Sequence, residues 1–345
     1  MKEASVLVVG GAGYIGSHMV LALRDAGHRV TVFDNLSRGF ADAVGGVPLI
    51  RGDLANPADL DRALQGRHFD VVMHFAAYAY VGESVAEPEL YYLNNVSGTL
   101  NLMAAMRRHG LKRLVFSSTC ATYGEPEQLP IPESHPQRPI NPYGRSKWMV
   151  EQMLIDQAAA FGLESVSLRY FNAAGADPQG RAGERHEPET HLIPLVLQEA
   201  LRLQQGGDGA DTQLKVFGSD LPTPDGSCVR DYIHVDDLAQ AHLRAAERLL
   251  RGEVQGAEFY NLANGAGFSV LQVIQACREV TGQPIAWQTL PRRAGDPAVL
   301  VGDATRARQV LGWAPRHGEL HEVVQTAWAW MLAREASASE ERRAA

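Results

Sequence analysis

Residues 5–16 read SVLVVGGAGYIG, and a helical pattern, SHMVLALRDAG, follows without a linker. A short apolar run passes straight into Gly10, Gly13 and Gly16 at GxxGxxG spacing. Few local structures accept such a sequence. A buried strand ends, the backbone turns through close approaches that side chains would block, and a helix begins with its N–H groups aimed back at the turn. Those donors and the positive end of the helix dipole suit a pyrophosphate. A tight turn with no ligand is the alternative.

The same alternation continues along the chain. Runs at 5–10, 29–34, 47–53, 70–76, 112–118 and 165–171 read as buried parallel strands, with helical patterns at 14–26, 57–65, 90–109 and 143–161. This predicts an α/β fold, a Rossmann-type doubly wound parallel sheet whose ligands lie outside the carboxyl ends of the strands. After Asn172 the texture changes to a polar, loop-like stretch, then helical patterns at 192–204 and 235–252 and a strand at 258–263. The expected division is a nucleotide-binding domain over 1–172 and a smaller C-terminal α/β substrate lobe over 173–345, the chain crossing back to the first domain around 231–263. The tail REASASEERRAA has little to bury and is expected to lack order.

Charge and cysteine usage narrow the function classes. The net charge is -8 with no block of Lys or Arg, which argues against nucleic acid or an anionic membrane as partner. An anionic ligand must then be held by local donors. No run approaches the roughly 18–20 apolar residues of a membrane span, and the N-terminal apolar run is too short for a signal peptide. Cys120, Cys228 and Cys277 are widely spaced, which predicts a reduced cytoplasmic protein with no disulfide, no zinc and no other metal.

The candidate site residues sit where strands end. Asp34 closes the second strand, where a carboxylate accepts hydrogen bonds from the ribose of NAD and repels the extra phosphate of NADP, although Arg38 lies nearby. Asp53 closes the third strand and either reaches an adenine edge or caps a solvated turn. Phe75 and Ala76 follow the fourth strand, as cofactor neighbours or as core. FSSTCATYG (116–124) offers the hydroxyls of Ser117 and Thr119 after the fifth strand, for a ligand or for their own backbone. NPYGRSK (141–147) starts a helix and places Tyr143 and Lys147 one turn apart. That is either an ordinary surface pair or an ammonium placed to acidify a phenol.

Together, the glycine turn, the Ser/Thr after the fifth strand and the later Y-x-x-x-K resemble the extended short-chain dehydrogenase/reductases. GGAGYIGSH, DNLSRG, HFAAYAYVGES, YYLNNVSGTLNL, NPYGRSKWMVE, LRYFNAAGA, VRDYIHVDDLA and RRAGDP are similar to the UDP-glucose 4-epimerases, from about residue 5 to 330. The resemblance implies tightly bound NAD and a UDP-sugar substrate. It implies interconversion of UDP-galactose and UDP-glucose through a transient 4-keto sugar that turns over in the pocket. Tyr143 would be the base, Lys147 would favour the phenolate and hold the nicotinamide ribose, and Thr119 would orient the sugar's 4-hydroxyl. Cofactor contacts would add Tyr14, Ile15, Asn35, Leu54, Asn94 and Tyr170 to Gly10, Gly13, Gly16, Asp34, Asp53, Phe75, Ala76 and Ser117.

On the substrate side, the resemblance implies Asn172, His191, Leu192, Phe217, Arg230, Tyr232, Arg293, Asp296 and Leu300. Arg230 and Arg293 would grip the diphosphate, since guanidinium forks match phosphate oxygens; a surface ion pair is the alternative for each. Two positions depart from some family members. Ala79 replaces a Lys near the cofactor, and Leu300 replaces a large Tyr, leaving room for an N-acetyl group. A 4-epimerase of a UDP-N-acetylhexosamine or UDP-pentose is therefore an alternative. A nucleotide-sugar dehydratase would carry Asp-Glu after Thr119, where this chain has Cys120-Ala121. A non-catalytic NAD-binding regulator would often lack the Tyr/Lys pair. The family's homodimer is implied too, and Met103, Met106, Met149 and Met153 are apolar positions beyond what one sheet face needs.

Overall fold

The first strand sets the layering of the molecule. In β1 (Ser5–Val9), Val6 and Val8 join one buried cluster while Leu7 and Val9 join another. Alternate side chains leave opposite faces of a strand, so an all-apolar strand demands cover on both sides. A computed structural model describes residues 3–292 and 297–344. In the first half β1, β2 (Arg29–Asp34), β3 (Leu49–Arg51), β4 (Val71–His74), β5 (Arg113–Thr119) and β6 (Glu164–Tyr170) alternate with helices. These are α1 (Tyr14–Asp25), α2 (Pro57–Leu64), α3 (Val81–Ala86), α4 (Pro88–Tyr91), α5 (Gly98–Arg108) and α6 (Pro142–Phe161). The second half contains β7 (Asn172–Ala174), α7 (Leu192–Gln204), β8 (Lys215–Phe217), β9 (Val229–Arg230), β10 (Tyr232–His234) and α8 (Val235–Leu250). It continues with β11 (Ala257–Leu262), β12 (Phe268–Ser269), α9 (Val270–Thr281), β13 (Gln288–Leu290), β14 (Val299–Leu300) and α10 (Leu320–Ala344).

Seven strands form one sheet in the order β11-β6-β5-β4-β1-β2-β3. Every neighbouring pair in it is parallel. The order reverses between β1 and β4, which opens a crevice at the carboxyl ends of the strands. The seventh strand comes from late in the chain: β11 pairs with β6, and α8 packs against α1 through the first cluster. The remaining strands form short two- and three-stranded sheets beyond that crevice. Among the described residues, no helix is long and apolar enough to cross a membrane. Met103 and Met106 are core, Met153 packs against it and Met149 is exposed.

Two expectations meet correction or refinement. The tail expected to lack order continues α10 to Ala344, because Ala, Glu and Arg are strong helix formers and extend a helix already anchored by Leu320, Val323 and Val324. The helix expected over 90–109 is broken by a π-helical stretch at Tyr92–Ser97. That wider turn carries Asn94 and Asn95, and such turns often mark functional positions.

The helix that follows β5 is fixed unusually firmly. Asn141 caps α6 by accepting from the Gly144 N–H at 2.8 Å, Pro142 occupies the first turn, and left-handed Gly162 ends it. A Cβ on Gly144 would lie 2.4 Å from the Ala121 carbonyl oxygen, so only glycine lets this end seat on the turn after β5. Further along, Glu151 is fully buried and pairs with Arg169 of β6 at 2.6 and 2.9 Å. Ser118 donates to the same carboxylate at 2.6 Å and Gln137 at 2.7 Å. A buried ion pair survives only when its remaining hydrogen-bonding capacity is satisfied, as it is here. Replacing Glu151 by Ala strands the Arg169 cation and is expected to cost about 3–5 kcal/mol in urea unfolding. A loss below about 1 kcal/mol, typical of an exposed pair, would contradict this role.

Candidate active site

The turn after β1 closes on itself tightly. Gly10 has φ +83° and a Cβ there would meet the Ala76 nitrogen at 2.3 Å; one on Gly16 would meet the Gly10 oxygen at 2.1 Å. Bare backbone therefore faces the crevice at the start of α1. A cleft opens there, lined by Gly10, Gly13, Asp34, Asn35, Asp53 and Leu54 together with Phe75, Ala76 and Asn94. The buried Asp34 carboxylate accepts from the Ala12 N–H at 3.0 Å and the Leu36 N–H at 2.8 Å. Burial raises its pKa, and those two bonds oppose the shift.

Asn35 donates to Asp53 at 2.9 Å, tying the ends of β2 and β3 together. Arg38 is committed to Glu83 at 2.6 Å and lies over Tyr78 and Tyr80, so its charge is already matched beside the Asp34 carboxylate. A glycine cradle, an oriented carboxylate and an apolar opposite wall fit a dinucleotide without a ribose phosphate. Gly16 and Ile15 lie inside α1, and Tyr14 turns its hydroxyl to the Gly175 carbonyl at 2.7 Å. Tyr14 thereby ties the turn to the following lobe, and Ile15 packs against the core.

At the carboxyl end of β5 the chemical groups converge. The Lys147 ammonium is buried, donates to the Ser117 carbonyl at 2.8 Å and lies 4.8 Å from the centre of the Phe116 ring. Burial pulls its pKa down to about 7, while Glu151 one turn later opposes the fall. The Ser117 hydroxyl is hydrogen-bonded to the Tyr170 hydroxyl, and burial pushes that phenol up to about 12. Tyr143 is buried with its ring edge-on to Tyr91 at 6.4 Å. Burial pushes its pKa up, and a hydrogen bond with the Thr119 side chain opposes the rise. Cys120, where a dehydratase would need an acid, is buried and pushed up to about 12, a poor proton carrier.

The second half of the chain completes the crevice. Asn172 begins β7, opposite Tyr232 of β10, and its N–H donates to the Asp231 carbonyl at 3.0 Å. Arg230 lies on β9 opposite Leu300 of β14, buried, and its charge acts on Cys120 beside Thr119. This links the β5 turn to the outer sheet. His191 caps α7, Leu192 starts it, and Phe217 ends β8 beside Leu290. Arg293 and Asp296 lie outside the described residues. Sequence reading passed over Asp231, whose buried carboxylate accepts from the Asn264 and Gly265 N–H groups at 2.8 and 3.0 Å and is raised to about 6 by burial. It clamps the loop after β11 to the strand that carries Arg230. Its placement between Arg230 and Tyr232 was the available signal.

Comparison with known proteins agrees with this geometry. The profile of the NAD dependent epimerase/dehydratase family matches residues 6–263. The UDP-glucose 4-epimerase of Halalkalibacterium halodurans is 51% identical over 94% of this chain and 95% of its own. A crystal structure of UDP-glucose 4-epimerase from Brucella ovis in complex with NAD is 46% identical with a TM-score of 0.88, covering 94% of this chain and 98% of that one. The Bifidobacterium longum UDP-glucose 4-epimerase, in complex with NAD+ and UDP, is 36% identical with a TM-score of 0.88, covering 96% of this chain and 99% of that one.

Proposed function

The chain belongs to the NAD dependent epimerase/dehydratase family, and from that premise we propose that it is a UDP-glucose 4-epimerase, interconverting UDP-galactose and UDP-glucose through a transient 4-keto sugar. The observation that carries the reading is the placement of Tyr143 beside Thr119, with Lys147 one turn along α6 on the Ser117 carbonyl, where β5 ends and α6 begins. Residues 1–172 form the cofactor half and residues 173–345 the UDP-sugar lobe, apart from α8 and β11, which return to the first sheet. NAD would be held by the backbone around Gly10 and Gly13, by Asp34 at a ribose, and by Lys147 at the nicotinamide ribose. When bound, it supplies reversible oxidation at C4 of the sugar.

The chain's own groups supply the proton chemistry. Thr119 orients the 4-hydroxyl and Tyr143 takes its proton, then returns it to the opposite configuration. Tyr143 needs help, because burial alone keeps its phenol protonated. The help is electrostatic: an ammonium beside a phenolate relieves the desolvation of both. Lys147, reluctant to hold its charge when buried alone, gains most from such a partner. Arg230 supplies a cation for the diphosphate on the far side of Thr119, leaving the sugar end able to turn.

We also propose a two-fold homodimer through α5 and α6. Leu100 on α5 and Met149 and Ile155 on α6 are exposed, and Val85 and Leu93 beside them are about two-thirds exposed (65% and 64%). Contiguous apolar exposure of this kind marks an interface.

Two measurements check these readings. Purified protein is expected to convert UDP-galactose to UDP-glucose without added reductant, followed by NMR. Tyr143→Phe is expected to slow that conversion by about 100- to 10,000-fold, the worth of a general base. An undiminished rate in the variant, or net reduction of NAD in step with sugar consumed, would overturn the assignment. Sedimentation at micromolar concentration should give a dimer that Leu100→Glu converts to a monomer; a monomeric wild type would refute the interface.

A further inference from the structure

Between β7 and α7 the chain runs from Glu184 to His191 with no helix or strand to hold it. Its side chains do so instead. Glu184, His186, Glu189 and His191 each offer one ligand-type atom, and these atoms all lie within 4.8 Å of one another. The side chains of Glu184 and Glu189 are only 6% and 7% exposed. His191 Nδ1 is hydrogen-bonded to Glu184 Oε1. His186 Nδ1 lies 3.2 Å from the same oxygen and 3.7 Å from Glu189 Oε2, yet it is buried with no hydrogen bond of acceptable geometry. Glu189 Oε1 is occupied by the N–H groups of Thr190 and His191 at 2.8 and 2.9 Å, which orients the carboxylate and leaves Oε2 toward the cluster. Arg185 points the other way, onto Phe40 and Asp42. The edges of Tyr14 and Tyr80 wall the His186 ring at 6.1 and 5.8 Å.

We propose that Glu184, His186, Glu189 and His191 form a divalent transition-metal site, best suited to Zn2+, that staples this loop to the mouth of the active site. Two imidazoles and two carboxylates are a borderline ligand set, matched to Zn2+ rather than to Mg2+. Two carboxylate charges cancel a divalent cation, which a site with two nearly buried carboxylates favours. Bonds of about 2.0–2.2 Å need ligand atoms roughly 3.3 Å apart, so the cluster has to contract only modestly. The buried His186 nitrogen without a hydrogen bond then gains a partner. The site stands apart from the sugar chemistry, but it redefines His191, whose ring becomes a metal ligand rather than a substrate contact, and it fixes the start of α7 where Leu192 lies.

The test uses the full-length, untagged chain, stripped with chelator and equilibrated with Zn2+ or with Mg2+. Metal content by mass spectrometry is expected to reach one Zn2+ per chain, with no retained Mg2+, and Zn2+ should raise the melting temperature. Co2+ in its place should give the visible bands of a tetrahedral site. Glu184→Gln and His186→Ala are each expected to weaken Zn2+ binding at least about 100-fold, whereas replacement of exposed His68 leaves it intact. Far-UV circular dichroism shows whether each variant folds. No uptake and no melting shift in the wild type, or uptake unchanged in both folded variants, would overturn the site and leave the cluster as ion pairs.

Discussion

The structure depends on how α6 lies against the sheet, and buried charge decides that. Tyr143, Lys147 and Glu151 occupy successive turns of one face, and all three are buried. An apolar stripe could slide or rotate with modest loss. A stripe carrying a cation and an anion cannot, because each displaced charge would face apolar surroundings without a partner. The Glu151–Arg169 pair and the Ser118 hydroxyl fix one point, and the Lys147–Ser117 hydrogen bond fixes another. With both made, the first turn of α6 must meet the end of β5, and Gly144 lets it come close enough. Tyr143 reaches Thr119 as a consequence.

That arrangement holds the Tyr143 phenol and the Lys147 ammonium in surroundings that disfavour their charged forms. Burial pushes the Tyr143 phenol up and pulls the Lys147 ammonium down to about 7. Each charge is unfavourable when buried alone, so a positive charge added beside the phenol would favour its ionised form. Proton transfer near neutral pH needs the phenol brought back down, which a cation beside the phenolate does. The nucleotide end contributes rigidity: Asp34 is held by two backbone N–H groups, and Arg38 is kept occupied by Glu83. Across the crevice, Arg230 lies on a short strand clamped by Asp231.

The fold and the placement of Thr119, Tyr143 and Lys147 around the end of β5 were legible because their signals are local. A strand, three glycines and a helix fall within the first 25 residues, and Tyr143 and Lys147 sit one turn apart. What escaped was made by contacts distant in sequence or by residue types read too narrowly. Glu151 and Arg169 lie 18 residues apart on different elements, so their pairing is visible only when α6 meets β6. Asp231 was hidden by the arginine beside it. The crowding of Glu184, His186, Glu189 and His191 depends on an irregular loop whose path no periodicity predicts. The tail was judged by what it could bury, although its alanines and arginines extend an existing helix at little cost.

The most direct test of the account is the ionisation of Tyr143 in the NAD-loaded protein. An ultraviolet pH titration of wild type minus Tyr143→Phe isolates that phenol, and the same difference taken in a Lys147→Met background shows what the ammonium contributes. The account predicts a titration below the ordinary phenol value of about 10, moving upward when Lys147 is removed. A Tyr143 that titrates at or above the ordinary value in the loaded wild type, or that is indifferent to Lys147, would contradict it.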